Sequence, residues 1–328
     1  MAVLLLVVAL IGATYETLSR RRARRDHPPP GRLIDIGGRR IQVDCRGMGS
    51  PTVVLESGLD RNGSLSWVSV HDPIAETTRT CAYSRAGMMW SDAAKGPFNS
   101  ARAAEDLHTA LIRAGERPPW VMVGHSAGGP YTMVFTGRYP SEVAGLVFVD
   151  IPHPDHLERV EQATGISPSA GDRARKAAAV TMGPLLVRLG VARLAPMGEA
   201  PHSWTDSMIA AHRAFFPSST AALLEEVHAF DGTLRRAGRF QQLGSRPLVV
   251  LSATGRSPAV RNRNAITPPM EERLQATRFQ LQQEMATWSS RSRHEPVDAG
   301  HNIQFERPDV VIRAVRNVVV DARALRNE

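Results

Sequence analysis

Short apolar segments separated by glycine, proline and polar turns recur along most of the chain. Residues 32–36 and 40–45 alternate apolar and polar positions on either side of Gly37-Gly38, which predicts a β-hairpin. Continuous apolar runs bounded by turn residues predict buried strands further along the chain. These runs lie at residues 51–56, 78–83, 120–123, 143–149, 247–251 and 295–297.

Segments with apolar residues at helical spacing alternate with these strands. One predicted helix has Ser100 as its N-cap and ends at Gly115. Others are predicted at residues 127–139, 271–288 and 308–320. This alternation of strands and helices predicts an α/β fold with a mostly parallel sheet and helices on both of its faces.

The pattern changes between residues 153 and 244, where helical segments rich in alanine and arginine are broken by glycine and proline. We interpret this stretch as a helical cap inserted into the α/β core. The predicted organisation is an N-terminal apolar anchor with an Arg/Pro linker (1–30), a first part of the core (31–152), the cap (153–244) and a second part of the core (245–328).

Composition agrees with one large core, because the chain has 328 residues of which 42% are hydrophobic. The net charge is +8, and all but two of the 40 basic residues are arginine. We interpret the arginines as a solvated surface, except at the N-terminus. Zinc-finger, RNP and homeodomain patterns are absent from the sequence, so we expect no nucleic-acid partner.

The N-terminus combines an apolar run at residues 2–13 with a following cluster of arginines at positions 20, 21, 22, 24 and 25. A spanning helix needs roughly 20 apolar residues, which is more than this run has. A secretory signal carries its positive charge before the apolar run, not after it. Because the apolar run is followed directly by a basic cluster, a membrane anchor at residues 2–15 is our first expectation. A signal, a peripheral apolar helix and a helix packed on the domain itself are the alternatives, in that order.

The sequence Gly124-His125-Ser126-Ala127-Gly128 has the form G-x-S-x-G, with a predicted strand before it and a predicted helix after it. This context is typical of a nucleophile elbow, a tight turn that raises the serine hydroxyl above the sheet edge. A serine hydroxyl needs a nearby base to become nucleophilic. His301 follows the last predicted strand, and a loop at that place can reach back over the sheet edge. We predict Ser126 as the nucleophile and His301 as the base.

These motifs, in this order, resemble the α/β-hydrolase superfamily, and in particular its bacterial esterase-like members with a helical cap. The segments that carry the resemblance are Ser57-Gly58-Leu59, Tyr83-Ser-Arg-Ala-Gly87, Gly124–Gly129, Asp150 and Gly300-His301. The resemblance covers the chain from Gly31 onward, apart from the cap. It implies an oxyanion hole formed by the backbone N–H groups of Leu59 and Ala127, and it implies no metal and no organic cofactor.

The chain departs from the family pattern at three places. Ser57 stands where many relatives have histidine, and Met88-Met89 stands where a glycine-rich turn is usual. The loop after residues 247–251, where relatives often place the catalytic acid, has no carboxylate before Glu271. Some relatives take the acid from the end of the preceding core strand, so Asp150 is our first candidate. Asp155 and then Glu271 follow, and a loop-capping role is the alternative for Asp150.

The two cysteines, Cys45 and Cys81, form no metal-binding pattern. In the fold implied by the resemblance their strands are neighbours, so they are either a buried thiol pair or a disulfide. A disulfide indicates an oxidising compartment, whereas arginines after an apolar anchor indicate the cytoplasmic side. The side of the membrane therefore stays open.

The expected reaction is acyl transfer to Ser126 followed by hydrolysis, with an ester of a small or lipid-like molecule as substrate. A lactonase, an aminopeptidase-like amidase using Glu225 or Glu226, and a C–C bond hydrolase are the rival enzymes. Epoxide hydrolase and dehalogenase activities are disfavoured, because they need a carboxylate where Ser126 stands. The rival from another class is a non-catalytic, membrane-tethered ligand-binding protein of the same fold.

Overall fold

The computed structural model describes residues 1–165, 167, 169–255 and 267–327. Within these residues eight strands form one sheet in the order β1-β2-β4-β3-β5-β6-β7-β8. The strands are β1 (Arg32–Asp35), β2 (Arg40–Arg46), β3 (Thr52–Glu56), β4 (Thr80–Ser84), β5 (Trp120–His125), β6 (Val143–Val149), β7 (Leu248–Ala253) and β8 (Ser292–Val297). The predicted α/β architecture is confirmed, because the pairs from β4 to β8 are parallel.

The first two strands form the predicted hairpin and run antiparallel to their neighbours. Cys45 on β2 and Cys81 on β4 are paired in register, and they form a disulfide. Directly opposite residues on antiparallel strands bring their Cβ atoms close together, so the register alone places the two sulfur atoms within reach. Of the two states left open by the sequence, the structure contains the disulfide.

The helices are α1 (Ala2–Asp26), α2 (Val68–Ala75), α3 (Ser100–Ala114), α4 (Gly128–Arg138), α5 (His156–Thr164), α6 (Ala170–Arg188), α7 (Asp206–Ala237), α8 (Pro268–Met285), α9 (Ile303–Glu306) and α10 (Pro308–Asn327). The N-cap of α3 is Asn99 and not Ser100, because the Asn99 side chain accepts hydrogen bonds from the first helical N–H groups. The segment 63–75, a 3₁₀ turn followed by α2, was not predicted. Pro73 within it disguises the helical pattern.

Alternate residues of the central strands point to opposite faces of the sheet and build two hydrophobic cores. Val54, Met122 and Phe148 pack on the side of α3, α4 and α8. Val53, Val121 and Val147 pack on the side of α2 and α10. A sheet buried on both faces explains why its strands are continuous apolar runs in the sequence.

The segment between β6 and β7, which we call the cap, consists of α5, α6, a 3₁₀ turn (Val191–Leu194) and α7. The N-cap of α7 is Thr205, whose side chain accepts a hydrogen bond from the Met208 N–H group. Phe215 and Glu226 are among the buried residues of this helix. Phe215 packs on Trp90 of the core, with ring centroids 5.7 Å apart. The cap therefore packs on the core at the carboxyl ends of the parallel strands.

The arginine cluster at the N-terminus is part of α1 and not a linker. Glu16 is buried and accepts hydrogen bonds at 2.7 Å from Arg20 and from Arg193 of the cap. Gly12 lies so close to the cap that a Cβ atom there would be 2.4 Å from the Leu189 carbonyl oxygen. The second half of α1 is thus packed on the cap, as in one of the alternatives considered for this segment. In the described part of the chain, no helix is long and apolar enough to cross a bilayer.

Candidate active site

Ser126 occupies the sharp turn between β5 and α4. Its φ angle is +53°, in the left-handed region that residues with a side chain rarely adopt. The turn requires close backbone contacts, since a Cβ atom on Gly124 would lie 2.7 Å from the Gly128 carbonyl oxygen, and one on Gly128 would lie 2.3 Å from the Glu56 carbonyl oxygen. The two glycines of the motif are therefore steric requirements of the elbow.

His301 reaches the serine from the loop between β8 and α9. Its Nε2 atom lies 2.9 Å from Ser126 Oγ, and its Nδ1 atom lies 2.6 Å from Asp150 Oδ2. The imidazole is about one third exposed, whereas the Asp150 side chain is buried. A serine, an imidazole and a carboxylate hydrogen-bonded in series can pass the hydroxyl proton to the imidazole and stabilise the resulting cation.

Asp150 directly follows β6 and has a φ angle of +46°. Its Oδ1 atom accepts hydrogen bonds from Gln282 at 2.8 Å and from the Ala253 N–H at 3.2 Å. Burial raises the pKa of this carboxyl, but the hydrogen bond from His301 and the charge of Arg278 outweigh it and leave the pKa below its ordinary value. The carboxylate is therefore ionised at neutral pH and fixed in orientation.

The other two acid candidates do not contact His301. Asp155 is exposed, and its carboxylate lies 3.7 Å from His153. Glu271, on α8, lines a separate cavity of about 260 Å³ behind Asp150. Among the three candidates, Asp150 alone is hydrogen-bonded to the imidazole.

His125, next to the serine, holds the loop that carries His301. Its Nε2 atom lies 3.0 Å from the His301 carbonyl oxygen, and the two rings are 4.8 Å apart. Burial lowers the pKa of His125 to about 3, so the ring is neutral and its Nε2–H donates. This positioning contact was not predicted from the sequence, because it depends on a backbone atom 176 residues away.

A cavity of about 960 Å³ opens above Ser126 between the loop after β3, the cap and the His301 loop. Its apolar lining includes Leu59, Met197, Trp204, Ile209, Phe216 and Phe305. Its polar lining includes Arg61, whose guanidinium lies 4.8 Å from the Phe216 ring centre and donates to Thr220. The cavity has the size and mixed lining of a site for a small organic molecule.

The two backbone groups expected to stabilise an oxyanion border this cavity. Leu59 lines it, and Ala127 directly follows Ser126 at the start of α4. Neither N–H group donates a hydrogen bond to any residue that the structure describes. Both are therefore available to an oxygen atom above Ser126, and the N-terminus of α4 favours negative charge there.

The two cap carboxylates considered for binding a substrate amine lie elsewhere. Glu226 is buried and forms a bidentate ion pair with Arg85 at 2.9 and 2.8 Å. Glu225 lines another cavity of about 690 Å³, between α1 and the cap. Neither lines the cavity above Ser126.

The sequence of residues 51–308 matches the family model described as the alpha/beta hydrolase fold. The chain belongs to this family. Curated relatives match over shorter segments: an uncharacterized protein of Schizosaccharomyces pombe is 42% identical over 24% of this chain and 14% of its own length. The uncharacterized protein YbdG of Bacillus subtilis is 23% identical over 47% of this chain and 48% of its own. The chain thus spans less than half the length of either relative.

Solved structures of this fold align with nearly the whole chain. An esterase of Thermogutta terrifontis superposes with a TM-score of 0.55 at 19% identity, covering 88% of this chain and 97% of the esterase. Est816, described as an N-acyl homoserine lactone degrading enzyme, gives 0.58 at 20%, covering 87% and 99%. A putative epoxide hydrolase of Pseudomonas aeruginosa gives 0.60 at 17%, covering 89% and 96%. The superpositions establish a common fold, and at identities this low they establish the fold alone.

Proposed function

We propose that this alpha/beta hydrolase is a serine hydrolase that cleaves a carboxylic ester of a small or lipid-like substrate through an acyl-enzyme. The observation that carries the proposal is the hydrogen-bonded series Ser126–His301–Asp150, whose first two members line the large cavity. The same three groups, in the same roles, perform acyl transfer on several unrelated folds.

The reaction begins when Ser126 Oγ attacks the carbonyl carbon and its proton moves to His301 Nε2. The negative charge that develops on the carbonyl oxygen is stabilised by the N–H groups of Leu59 and Ala127. His301 then protonates the departing alcohol, which leaves the acyl-enzyme. Water repeats the cycle, with His301 as base, and releases the acid and free Ser126. Asp150 orients the imidazole and stabilises its charged form throughout.

The apolar lining of the cavity supports an ester with an apolar acyl chain as substrate. The positions of Glu225 and Glu226 leave neither of them to bind a free amine. The carboxylates that do line the cavity are Glu199 and Asp60, and Asp60 already accepts a hydrogen bond from Ser66 at 2.7 Å. A lactone is an internal ester and would follow the same steps, so lactones belong to the substrate class. The serine at the elbow disfavours epoxide opening, which would need a carboxylate in that place.

The test is to label the full chain with a fluorophosphonate probe, map the label by mass spectrometry, and measure hydrolysis of an ester and lactone panel. We expect labelling at Ser126, loss of labelling and turnover in Ser126→Ala, and strong loss in His301→Ala. A matched control is Ser252→Ala, because Ser252 also contacts a histidine, His294, at 2.7 Å but does not lie in an elbow. Folded protein without label or turnover would contradict the proposal and favour the non-catalytic ligand-binding protein.

The proposal includes association with a membrane surface through α1. The first half of this helix exposes large apolar side chains, among them Leu4, Leu6, Leu10 and Ile11, each about 60% exposed or more. Five arginines follow on the same helix, and three of them form ion pairs with Glu16, Asp92 and Asp26. The other two, Arg21 and Arg22, are exposed and suit anionic lipid headgroups. The second half is packed on the cap, so such contact would bring the cap and its cavity close to lipid-like esters.

A further inference from the structure

The guanidinium of Arg85 lies buried beneath the loop that joins β3 to the following 3₁₀ turn. Its Nη1 atom donates to Glu56 at 2.6 Å and to the Ser57 carbonyl at 2.7 Å. Its Nη2 atom donates to the Gly58 carbonyl at 2.7 Å, and Nε and Nη2 both donate to Glu226. Every nitrogen of the side chain is thus committed to an acceptor, as a buried charge requires.

The hydrogen bond to Gly58 sets the direction of the neighbouring Leu59 N–H. The Gly58–Leu59 peptide is trans, so its C=O and N–H point in opposite directions from one rigid plane. Because Arg85 fixes the carbonyl on its own side, the N–H points away from Arg85. The same loop touches the nucleophile, since a Cβ atom on Gly58 would lie 2.9 Å from Ser126 Cβ.

Glu226 fixes Arg85 from the cap. The Arg85–Glu226 ion pair is bidentate, and Tyr131 contacts both of its members. The Tyr131 hydroxyl donates to Glu226 at 3.2 Å, and its ring centre lies 4.7 Å from the guanidinium carbon. Planar, five-donor geometry is specific to arginine, because the lysine ammonium offers three donors from one atom. The side chain therefore connects α7 of the cap to two consecutive carbonyls of the loop beside Ser126.

We propose that Arg85 is a positioning residue that directs the Leu59 N–H toward the reacting carbonyl oxygen. Glu226 of the cap holds Arg85 in place. A complete oxyanion hole therefore requires a correctly packed cap. This role rests on the proposed serine hydrolase function. It predicts a specific kinetic signature, because an oxyanion hole acts on the transition state far more than on the bound substrate.

The test compares Arg85→Lys and Glu226→Gln with the wild-type full chain on a chromogenic ester, after active-site titration with a fluorophosphonate. We expect Arg85→Lys to lower kcat by about 10- to 100-fold while KM changes by less than about threefold. Affinity for an alkyl boronic acid, which becomes a tetrahedral anion on Ser126, should fall in parallel with kcat/KM. Glu226→Gln should show the same pattern with a smaller loss, about 3- to 10-fold in kcat.

The matched control is Arg79→Lys, because Arg79 also pairs with a buried glutamate, Glu116, at 2.7 Å. It should lower the melting temperature without changing boronate affinity. The proposal is overturned if Arg85→Lys keeps kcat and boronate affinity within about twofold of wild type. If the lysine variant does not fold, the same result in Glu226→Gln overturns it. A wild-type enzyme that neither titrates nor turns over overturns the proposed function itself and this role with it.

Discussion

Asp150 and His301 are joined by a hydrogen bond of 2.6 Å between Oδ2 and Nδ1, although 151 positions separate them in the chain. The other oxygen of the carboxylate is held by Gln282 of α8 and by the Ala253 N–H. A carboxylate with this many fixed donors has one orientation. It therefore fixes the imidazole tautomer that leaves Nε2 free to accept the Ser126 proton.

Replacing Asp150 by asparagine should lower kcat by about 10³- to 10⁴-fold with a small change in KM. The amide keeps the size of the side chain, but it lacks the charge that stabilises the imidazolium and can favour the wrong tautomer. Steady-state kinetics on an ester, with circular dichroism to establish folding, measures the effect. Asp155→Asn and Glu271→Gln are the matched controls, and we expect near wild-type rates for both. A large loss in either control with a small loss in Asp150→Asn would assign the acid elsewhere.

The glycine after Ala127 is required by backbone contact, so Gly128→Ala should disrupt the elbow. A Cβ atom there would lie 2.3 Å from the Glu56 carbonyl oxygen, which belongs to a central strand and cannot move easily. We expect a loss of about 2–4 kcal/mol of unfolding free energy, in the range for overpacked sites, and a strong loss of labelling at Ser126. Gly232→Ala, within α7, meets only a distant Arg235 side chain at 3.9 Å. It should be neutral or stabilising, by up to about 1 kcal/mol.

Stability should fall as pH is lowered below about 6.5, because His125 is buried in its neutral form. Burial lowers its pKa to about 3, whereas an unfolded histidine has a pKa of about 6.5. Between these two pH values His125 is protonated in the unfolded chain but not in the folded protein. The free energy of unfolding therefore rises with pH in this range, by up to about 1.4 kcal/mol per pH unit. Burial lowers the pKa of His156 and His212 to about 4, which acts in the same direction.

Urea unfolding at pH 7.5, 6 and 5 measures this slope. His125→Gln places an amide donor near the position of Nε2, toward the His301 carbonyl, but cannot titrate, so its stability should depend less on pH than that of the wild type. The matched control is His202→Gln at an exposed histidine, and its slope should equal that of the wild type. Equal slopes in all three proteins would contradict a neutral, buried His125.

Vesicle sedimentation tests the membrane contact of α1. The full chain should bind vesicles containing phosphatidylglycerol more strongly than pure phosphatidylcholine vesicles, and added salt should weaken the binding, because arginines and apolar side chains act together. The double variant Leu6→Ser and Leu10→Ser should lose most of the binding. Met48→Ser removes an apolar side chain that is 87% exposed but lies outside α1, and it should bind like the wild type. Wild type that stays in the supernatant with anionic vesicles would exclude this contact.

Much of the architecture could be predicted from local patterns. The hairpin around Gly37-Gly38, the strand Val143–Val149 and the helix beginning at Gly128 lie where the sequence indicates them. Periodicity failed at 63–75, where a proline and a 3₁₀ turn hide the helical spacing. It also failed for the arginines of α1, because the buried pairing of Glu16 with Arg193 of the cap has no local signal.

The sequence by itself determined the elbow at Ser126, because a tight strand-to-helix turn needs glycine at fixed positions and therefore leaves a local motif. It also singled out His301 from its place after the last strand. Only the tertiary structure decided that Asp150 contacts the imidazole, that Cys45 and Cys81 are bonded, and that Glu226 belongs to Arg85 and not to the substrate cavity. These are contacts between side chains far apart in the chain, and their distances are fixed by strand register and by how the cap packs on the sheet.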